Sequence, residues 1–159
     1  MEIKRESVLE VYEDQESMSP RIVDLIDHAK RAMSRAYAPY SQFKVGAALL
    51  TDNGRIIEGN NQENAAYPSG LCAERVALFH AGSQYPGELI RALAITVNAE
   101  GELQPLEDLV SPCGACLQVI SETENRQESA IDIYIATRHH VYHAKGVAHF
   151  LPFQFNTKL

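Results

Sequence analysis

The pattern of apolar positions first predicts a helix at residues 20–36. Ser19 followed by Pro20 is typical of a helix start, because serine caps the first turn and proline tolerates the first helical position. Apolar side chains then recur every three or four residues, at Ile22, Leu25, Ile26, Ala29, Ala32, Met33 and Ala36. This spacing places them on one face of an amphipathic helix.

Later apolar runs predict a hairpin and two further helix-strand units. FKVGAALL and RIIEGN flank Asp52-Asn53-Gly54, a turn in which Asn-Gly tolerates positive φ angles. CAERVALFHAG has helical spacing, with Gly82 expected to end the helix, and ALAITVN is expected to be a buried strand. SPCGACLQVISETE predicts another helix, and IDIYIA and VYHAK predict two final strands.

The resulting order, α-β-β-α-β-α-β-β, predicts an α/β fold. Strands that alternate with helices imply a parallel centre with right-handed crossovers and helices that cover the sheet, with hairpins at its margins. The chain has 159 residues, of which 45% are hydrophobic and 22% charged, as is ordinary for one compact domain. We expect a single domain over residues 1–159.

Charge and composition argue against several functions. The formal net charge of −7 should repel a phosphate backbone, so a small-molecule partner is favoured over nucleic acid. No apolar run approaches the roughly 20 residues of a spanning helix, and the charged N-terminus, MEIKRESVLEVYEDQES, is unlike a signal or transit peptide. We therefore expect a cytoplasmic protein with no membrane partner.

The three cysteines, Cys72, Cys113 and Cys116, are the candidates for chemistry. An odd number in a reducing compartment argues against a disulfide framework and for metal or thiol chemistry. Cys113 and Cys116 form a Cys-X-X-Cys motif, which redox pairs, zinc sites and unrelated thiols all produce. With Ser111 as N-cap and Pro112 as the first helical residue, both thiols would lie on one face at a helix start, where the helix dipole favours thiolates.

Cys72 supplies a third thiol at a second predicted helix start, so two helix starts could converge on one metal ion. Zinc with only three protein ligands keeps its fourth position for water, as catalytic sites require. A catalytic site also needs a proton carrier. Glu74, two residues after Cys72, is placed to reach such a water without binding the metal.

These motifs together resemble short-chain cytidine deaminases, the homotetrameric class with three cysteine ligands. The matching blocks lie between about Ala36 and Phe155 and read AYAPYSQFKVGAAL, NQENAAYPSGLCAER, SPCGACLQV and LPFQF. Residues 1–17 lie outside them as an N-terminal extension, in which VLEVY could form an added strand or an arm. The resemblance implies a three-layer α/β/α sandwich on a five-stranded mixed sheet, with one zinc ion per subunit. It also implies hydrolytic deamination of cytidine and deoxycytidine in pyrimidine salvage, in a homotetramer with its sites near subunit interfaces.

The same resemblance implies roles for individual residues. Cys72, Cys113 and Cys116 would bind zinc, and Glu74 would carry protons to N3 of the base and to the departing ammonia. The implied substrate-binding residues are Asn61 and Glu63 for the ribose, Phe43 for the base, the Ala73 N–H for the 2-oxo group, and Phe155 in a neighbouring subunit's site. Arg75 is implied as a cation that offsets the thiolate charge.

One position departs from the family pattern, because Leu117 stands where arginine is common. The missing cation could alter the electrostatics of the zinc site, a subunit contact or the substrate range. Leu117 also lies one helical turn after Cys113, and we favour the interpretation that it is a core or interface residue.

Three alternatives remain open at this stage. The first is a deaminase of a modified cytosine nucleoside such as blasticidin S, and the second is a non-catalytic zinc module in which a histidine such as His143 completes the site. The third is a thiol oxidoreductase that uses Cys113 and Cys116, which leaves Cys72 and Glu74 unexplained. For His139, His140, His143 and His149 we expect surface or sheet-edge positions rather than a metal site.

Overall fold

The elements follow the predicted order, with one short strand added near the N-terminus. The computed structural model describes residues 1–99 and 105–156. Its strands are β1 (Glu10–Tyr12), β2 (Phe43–Thr51), β3 (Ile56–Asn60), β4 (Ile90–Ala99), β5 (Asp132–Ala136) and β6 (Val141–Lys145). Its helices are α1 (Pro20–Ser34), α2 (Ala73–Gln84) and α3 (Gly114–Gln127), and 3₁₀ turns cover Tyr67–Ser69 and Val147–His149. Within these residues, no helix is long and apolar enough to cross a membrane.

The strands form one mixed sheet in the order β1-β6-β5-β4-β2-β3. β4 and β5 pair in parallel, whereas the other neighbouring strands pair antiparallel. The expected parallel centre is therefore limited to one pair, because β2 lies between β3 and β4 and runs against both. The expected count of five strands is also corrected to six, since residues 10–12 pair with β6.

Helices cover both faces of the sheet, which confirms the three-layer α/β/α sandwich. On one face, α2 and α3 pack against branched side chains such as Leu49, Ile95 and Ile133. On the other face, α1 packs against small side chains such as Ala48 and Ala94. Consecutive residues thus face opposite layers, as a pleated strand buried on both sides requires.

Helix α1 begins as predicted, with Ser19 as its N-cap. The Ile22 N–H donates to the Ser19 hydroxyl oxygen at 3.4 Å, and Pro20 is the first helical residue. The helix ends at Ser34, two residues before the predicted end. Helix α2 instead continues past Gly82 to Gln84, because the Tyr85 N–H still donates to the Ala81 carbonyl.

Two glycines allow helices to approach the sheet closely. A Cβ atom on Gly46 would lie 2.0 Å from the carbonyl oxygen of Ala29 in α1. A Cβ atom on Gly59 would lie 2.4 Å from the Ala73 oxygen and 2.6 Å from the Ala77 nitrogen, both in α2. The first turn of α2 therefore lies directly against β3.

The added strand β1 covers the outer edge of β6. Glu10 pairs with His143, Val11 with Tyr142 and Tyr12 with Val141. The Val8 N–H also donates to Nδ1 of His149 at 3.1 Å. The N-terminal extension is thus part of the sheet.

The sheet topology explains why two helix starts meet. β3 and β4 run in the same direction on either side of β2, so their C-terminal ends lie at the same edge of the sheet. The chain after β3 leads to α2, and the chain after β4 leads to α3. Both N-termini therefore lie at this edge, where the candidate site is found.

Candidate metal centre and substrate cleft

Three cysteine sulfur atoms meet where α2 and α3 begin. Cys72 and Cys113 are the N-cap residues of α2 and α3, and Cys116 is buried in the first turn of α3. The Cys113 sulfur lies 3.8 Å from that of Cys72 and 3.5 Å from that of Cys116, and all three lie within 4.8 Å of one another. Tetrahedral zinc with Zn–S bonds of about 2.3 Å separates its sulfur ligands by about 3.8 Å. The donor set therefore fits zinc.

Helix α3 begins later than its sequence predicted. Ser111 was expected as the N-cap and Pro112 as the first helical residue, but Gly114 is the first and Cys113 is the N-cap. The Leu117 N–H donates to the Cys113 carbonyl at 2.9 Å, which is the first bond of the helix. Cys113 itself is extended, with φ −68° and ψ 161°, so its thiol lies ahead of the helix rather than within the first turn.

The thiols and Arg75 form one electrostatic unit. A hydrogen bond from the Cys116 thiol, followed by contacts with Arg75 and Cys113, lowers the pKa of Cys72 to about 5. The same hydrogen bond, together with burial, raises the pKa of Cys116. Nη2 of Arg75 lies 3.7 Å from the Cys72 sulfur, so a guanidinium stands beside the thiolate.

Glu74 is buried next to the thiols. Its side chain is on the first turn of α2, and only 4% of the residue is exposed. Burial raises the pKa of the Glu74 carboxyl, and the charge on Cys72 raises it further. A carboxyl group beside three sulfur atoms is suited to exchanging protons with a molecule bound there.

A cleft of about 940 Å³ opens beside the cysteines. Cys72, Arg75 and Cys113 line one part of it, and Phe43, Asn61 and Glu63 line another. The structure therefore brings the predicted ribose-binding pair and the predicted base-packing aromatic to the same cleft as two of the three predicted metal ligands, Cys72 and Cys113.

The ribose-pair candidates also hold the local backbone. The Asn61 side chain accepts a hydrogen bond from the Val45 N–H and donates one to the Phe43 carbonyl, both at 2.8 Å. The Glu63 carboxylate accepts hydrogen bonds from the N–H groups of Tyr40 and Ser41, at 2.8 and 3.2 Å. Tyr40 and Ser41 line the cleft but were not singled out from the sequence. Their position in a polar turn immediately before β2 was the available signal.

Comparison with known proteins identifies this arrangement. The family model described as the cytidine and deoxycytidylate deaminase zinc-binding region matches residues 21–130. The chain belongs to this family.

Relatives within the family cover most of the chain. It is 42% identical over 132 residues to a cytidine deaminase of Sporosarcina psychrophila, which covers 83% of this chain and 89% of the relative. A cytidine deaminase of Halalkalibacterium halodurans is 46% identical over 98 residues, covering 62% of this chain and 68% of the relative.

Solved structures of the family share the fold. The cytidine deaminase of Burkholderia pseudomallei matches with a TM-score of 0.67 and 39% identity, over 84% of this chain and 98% of that one. The cytidine deaminase of Mycobacterium tuberculosis matches with a TM-score of 0.64 and 31% identity, over 86% of this chain and 98% of that one.

Leu117, which departs from the family pattern, is a core residue. It is 7% exposed and packs with Ile120 in the apolar cluster between the helices and the sheet. This confirms the interpretation that we favoured for it. Arg75 remains as a cation in contact with the cysteines.

No histidine belongs to the cysteine group among the described residues, and of the two expected positions, surface or sheet edge, His143 occupies the sheet edge and is largely buried there. Its side chain is only 14% exposed, and its ring stacks on Tyr134 at 4.5 Å. Its ring nitrogens lie 3.0 Å from Glu10 and 2.9 Å from Asp132. His143 therefore links β1, β5 and β6 through its side-chain contacts. The potential metal-ligand group found among the described residues consists of Cys72, Cys113 and Cys116. This argues against the binding module with a histidine ligand.

The last two predicted substrate-binding residues differ in position. Ala73 is fully buried at the start of α2, between Cys72 and Glu74. Phe155 is 74% exposed, and its carbonyl accepts a hydrogen bond from the Gln118 side chain at 2.9 Å. It is not among the residues that line the cleft of its own chain.

Proposed function

We propose that this protein catalyses the hydrolytic deamination of cytidine and deoxycytidine, consuming water and releasing ammonia, as a step of pyrimidine salvage. The observation that carries this proposal is the buried Glu74 beside three converging thiols, two of which line a cleft together with Asn61 and Glu63. Membership of the deaminase family, with relatives named cytidine deaminase, supports it.

Cys72, Cys113 and Cys116 would hold one zinc ion per subunit. When bound, zinc would act as a Lewis acid that lowers the pKa of a water molecule, so that this water loses a proton and can attack a ring carbon at neutral pH. Three thiolates and a divalent ion together carry a net charge of −1, and the Arg75 guanidinium beside Cys72 offsets part of this charge.

Glu74 is the proposed catalytic proton carrier. It takes one proton from the attacking water and delivers it to N3 of the cytosine ring. It then passes the second proton of that water, now on the 4-hydroxyl group, to the amino group, so that ammonia leaves and the 4-oxo group forms. Its position two residues after Cys72, buried and fixed by the first turn of α2, suits this transfer because the carboxyl has little freedom to turn away.

The remaining contacts orient the nucleoside. We propose that Phe43 packs against the base, that the Ala73 N–H donates to its 2-oxo group, and that Asn61 and Glu63 bind a ribose hydroxyl. Phe155, exposed on its own subunit, is proposed to reach the cleft of a neighbouring one.

Assembly, localisation and domain extent are also proposals. A homotetramer is supported by aromatic rings left exposed in the single chain, with Tyr67 at 93% and Phe153 at 65%. Sedimentation equilibrium would contradict the tetramer if it gave a monomer at assay concentration.

We propose that the protein is cytoplasmic. Its three cysteines form no disulfide, as is usual in a reducing compartment, and cell fractionation would check this location. We also propose one domain over residues 1–159, checked by a single cooperative unfolding transition.

The deciding experiment compares wild type with Glu74→Gln by following the loss of cytosine absorbance. We expect Glu74→Gln to lower kcat by at least about 100-fold, because a positioned proton carrier contributes 10²–10⁴-fold. Glu124→Gln is the matched control. Glu124 is also partly buried, and its Oε1 accepts hydrogen bonds from the Ile131 and Val147 N–H groups, which a glutamine oxygen preserves.

The outcomes separate function from folding. Zinc content and circular dichroism should be the same in all three proteins. Cytidine, deoxycytidine and blasticidin S should be tested side by side. Glu74→Gln activity within a few-fold of wild type would refute the role of Glu74, and absent cytidine turnover by zinc-loaded wild type would refute the proposed substrate.

A further inference from the structure

The turn before β2 forms a binding site for the Glu63 carboxylate. Oε2 of Glu63 accepts hydrogen bonds from the Tyr40 and Ser41 N–H groups, and Oε1 accepts one from the Ser41 hydroxyl. Gln42, with φ 57°, reverses the chain at this point, and its N–H donates to the Ala38 carbonyl at 3.1 Å. The backbone of the turn is therefore closed independently of Glu63.

Ser41 is the residue that links this turn to the cleft. Its hydroxyl donates to Glu63 and at the same time accepts a hydrogen bond from the Phe43 N–H at 3.0 Å. The hydrogen bond from Ser41 is also the largest cause that lowers the pKa of the Glu63 carboxyl. One hydroxyl group thus contacts both the carboxylate and the backbone of the aromatic residue.

Within the part of the chain that the structure describes, the hydrogen bonds of Glu63 leave its carboxylate one free acceptor position. An ionised carboxylate has about four lone-pair sites, and three are occupied here. Asn61 likewise uses one of its two N–H donors and one of its oxygen lone pairs on the backbone of β2. A hydroxyl between the two side chains could donate to Glu63 and accept from Asn61.

We propose that Ser41 is a positioning residue for sugar recognition, whose hydroxyl fixes the Glu63 carboxylate so that its remaining lone pair meets a hydroxyl of the nucleoside. This inference rests on the proposed function of the cleft. The two N–H donors both bind Oε2, so the Ser41 hydroxyl is the described contact that fixes Oε1 and with it the rotation of the carboxylate.

Ser41→Ala tests the proposal in the zinc-loaded, full-length protein. We expect KM for cytidine to rise about tenfold and kcat to stay within twofold of wild type. A hydrogen bond to a charged group changes an equilibrium constant by about 10- to 100-fold, and the lower end applies here because two donors remain on Glu63. For 2′,3′-dideoxycytidine, which lacks both secondary hydroxyls, KM should change less than twofold. Such a substrate has no secondary hydroxyl to donate to Glu63.

Two further variants separate positioning from general damage. Ser41→Thr keeps the hydroxyl and should restore KM to within about threefold of wild type. Ser34→Ala is the matched control, because Ser34 is exposed at the end of α1 and donates to the carbonyl of Arg31, away from the cleft. It should leave kcat and KM unchanged. Ser41 is itself exposed, so its replacement leaves no cavity in the core.

Amide hydrogen exchange provides a readout that does not depend on turnover. In Ser41→Ala, the amides of Tyr40 and Phe43 should exchange faster, because the carboxylate turns more freely and Phe43 loses its acceptor. Unchanged exchange would overturn the proposal, as would an unchanged KM, a fall in kcat alone, or equal effects on both substrates. No cytidine turnover by wild type would instead reject the function on which the proposal rests.

Discussion

Replacing Gly59 by alanine should displace the metal site, because Gly59 lies against Ala73, the residue that follows Cys72. Its missing side chain allows β3 to lie against the first turn of α2. A Cβ atom there would lie 2.4 Å from the Ala73 oxygen and 2.6 Å from the Ala77 nitrogen. Ordinary contact begins at 3.4 Å, so α2 and β3 must separate by roughly 1 Å.

This displacement sets the expected magnitudes. Overpacking costs about 1–3 kcal/mol, and we expect a loss of about 3 kcal/mol because the clashing atoms are backbone rather than flexible side chains. For a chain of this size the loss lowers Tm by about 6–12 °C. Ala73 lies between Cys72 and Glu74, and metal–ligand distances tolerate only about 0.2 Å, so zinc affinity should fall at least tenfold.

Gly82→Ala is the matched control in the same helix. A Cβ atom on Gly82 would meet its nearest neighbour, Nη2 of Arg126, at an ordinary 3.8 Å. Alanine is favoured over glycine within a helix, so stability should be unchanged or rise by up to about 1 kcal/mol. Urea unfolding and chelator competition for zinc, at one protein concentration, measure both effects. A Gly59→Ala protein with wild-type stability and zinc affinity would refute the close-approach argument.

Two further predictions concern Glu58 and Leu117. Burial tends to raise the pKa of Glu58, but hydrogen bonds from His28 and Arg35 outweigh it and lower the pKa below 4.5. The folded state therefore gains stability from the ionised Glu58 above about pH 4.5, and it loses this stability as pH falls through the lowered pKa. Glu58→Gln should make the urea midpoint depend less on pH in this range. Parallel pH profiles for the two proteins would contradict the argument. Leu117→Arg should lower the free energy of unfolding, measured in urea, by at least about 2 kcal/mol, because it places a charge in the core. Ala115→Arg is the control, because Ala115 is exposed in the same helical turn, and it should change the free energy of unfolding little. A stable Leu117→Arg protein would show that this position tolerates the arginine common in the family.

The elements that local pattern determines were predictable from the sequence. Ser19-Pro20 and the apolar spacing predicted α1, and Asn53-Gly54 predicted the β2–β3 hairpin. The prediction that α2 ends at Gly82 was wrong, because the helix continues for two more residues to Gln84. A glycine favours a helix end where the backbone turns left-handed, and the residue type alone does not show that turn. Ser111 and Pro112 predicted a helix start at this place, but the prediction of Ser111 as its N-cap was wrong, because Cys113 caps the helix.

The site was predictable as a set of residues but not as an arrangement. The spacing of Cys113 and Cys116 places two thiols together, but the approach of Cys72 depends on β3 and β4 ending at the same edge. The dual use of Asn61 and Glu63, as cleft residues and as backbone anchors, depends on a turn fold that no local pattern encodes. The pairing of residues 10–12 with β6 is likewise a contact between distant parts of the chain.

The position of β1 limits how subunits can associate. Three of the five residues of β6 already have their outer hydrogen-bonding partners in β1, and the uncovered end of the strand carries the exposed Lys145. β1 is itself the border strand of the sheet, and with three residues it offers a second chain only a short edge to pair with. The charge of Lys145 disfavours docking on the part of β6 that β1 leaves uncovered. Both devices protect this border against growth into a continuous intermolecular sheet, at the side where the N-terminal strand ends the fold.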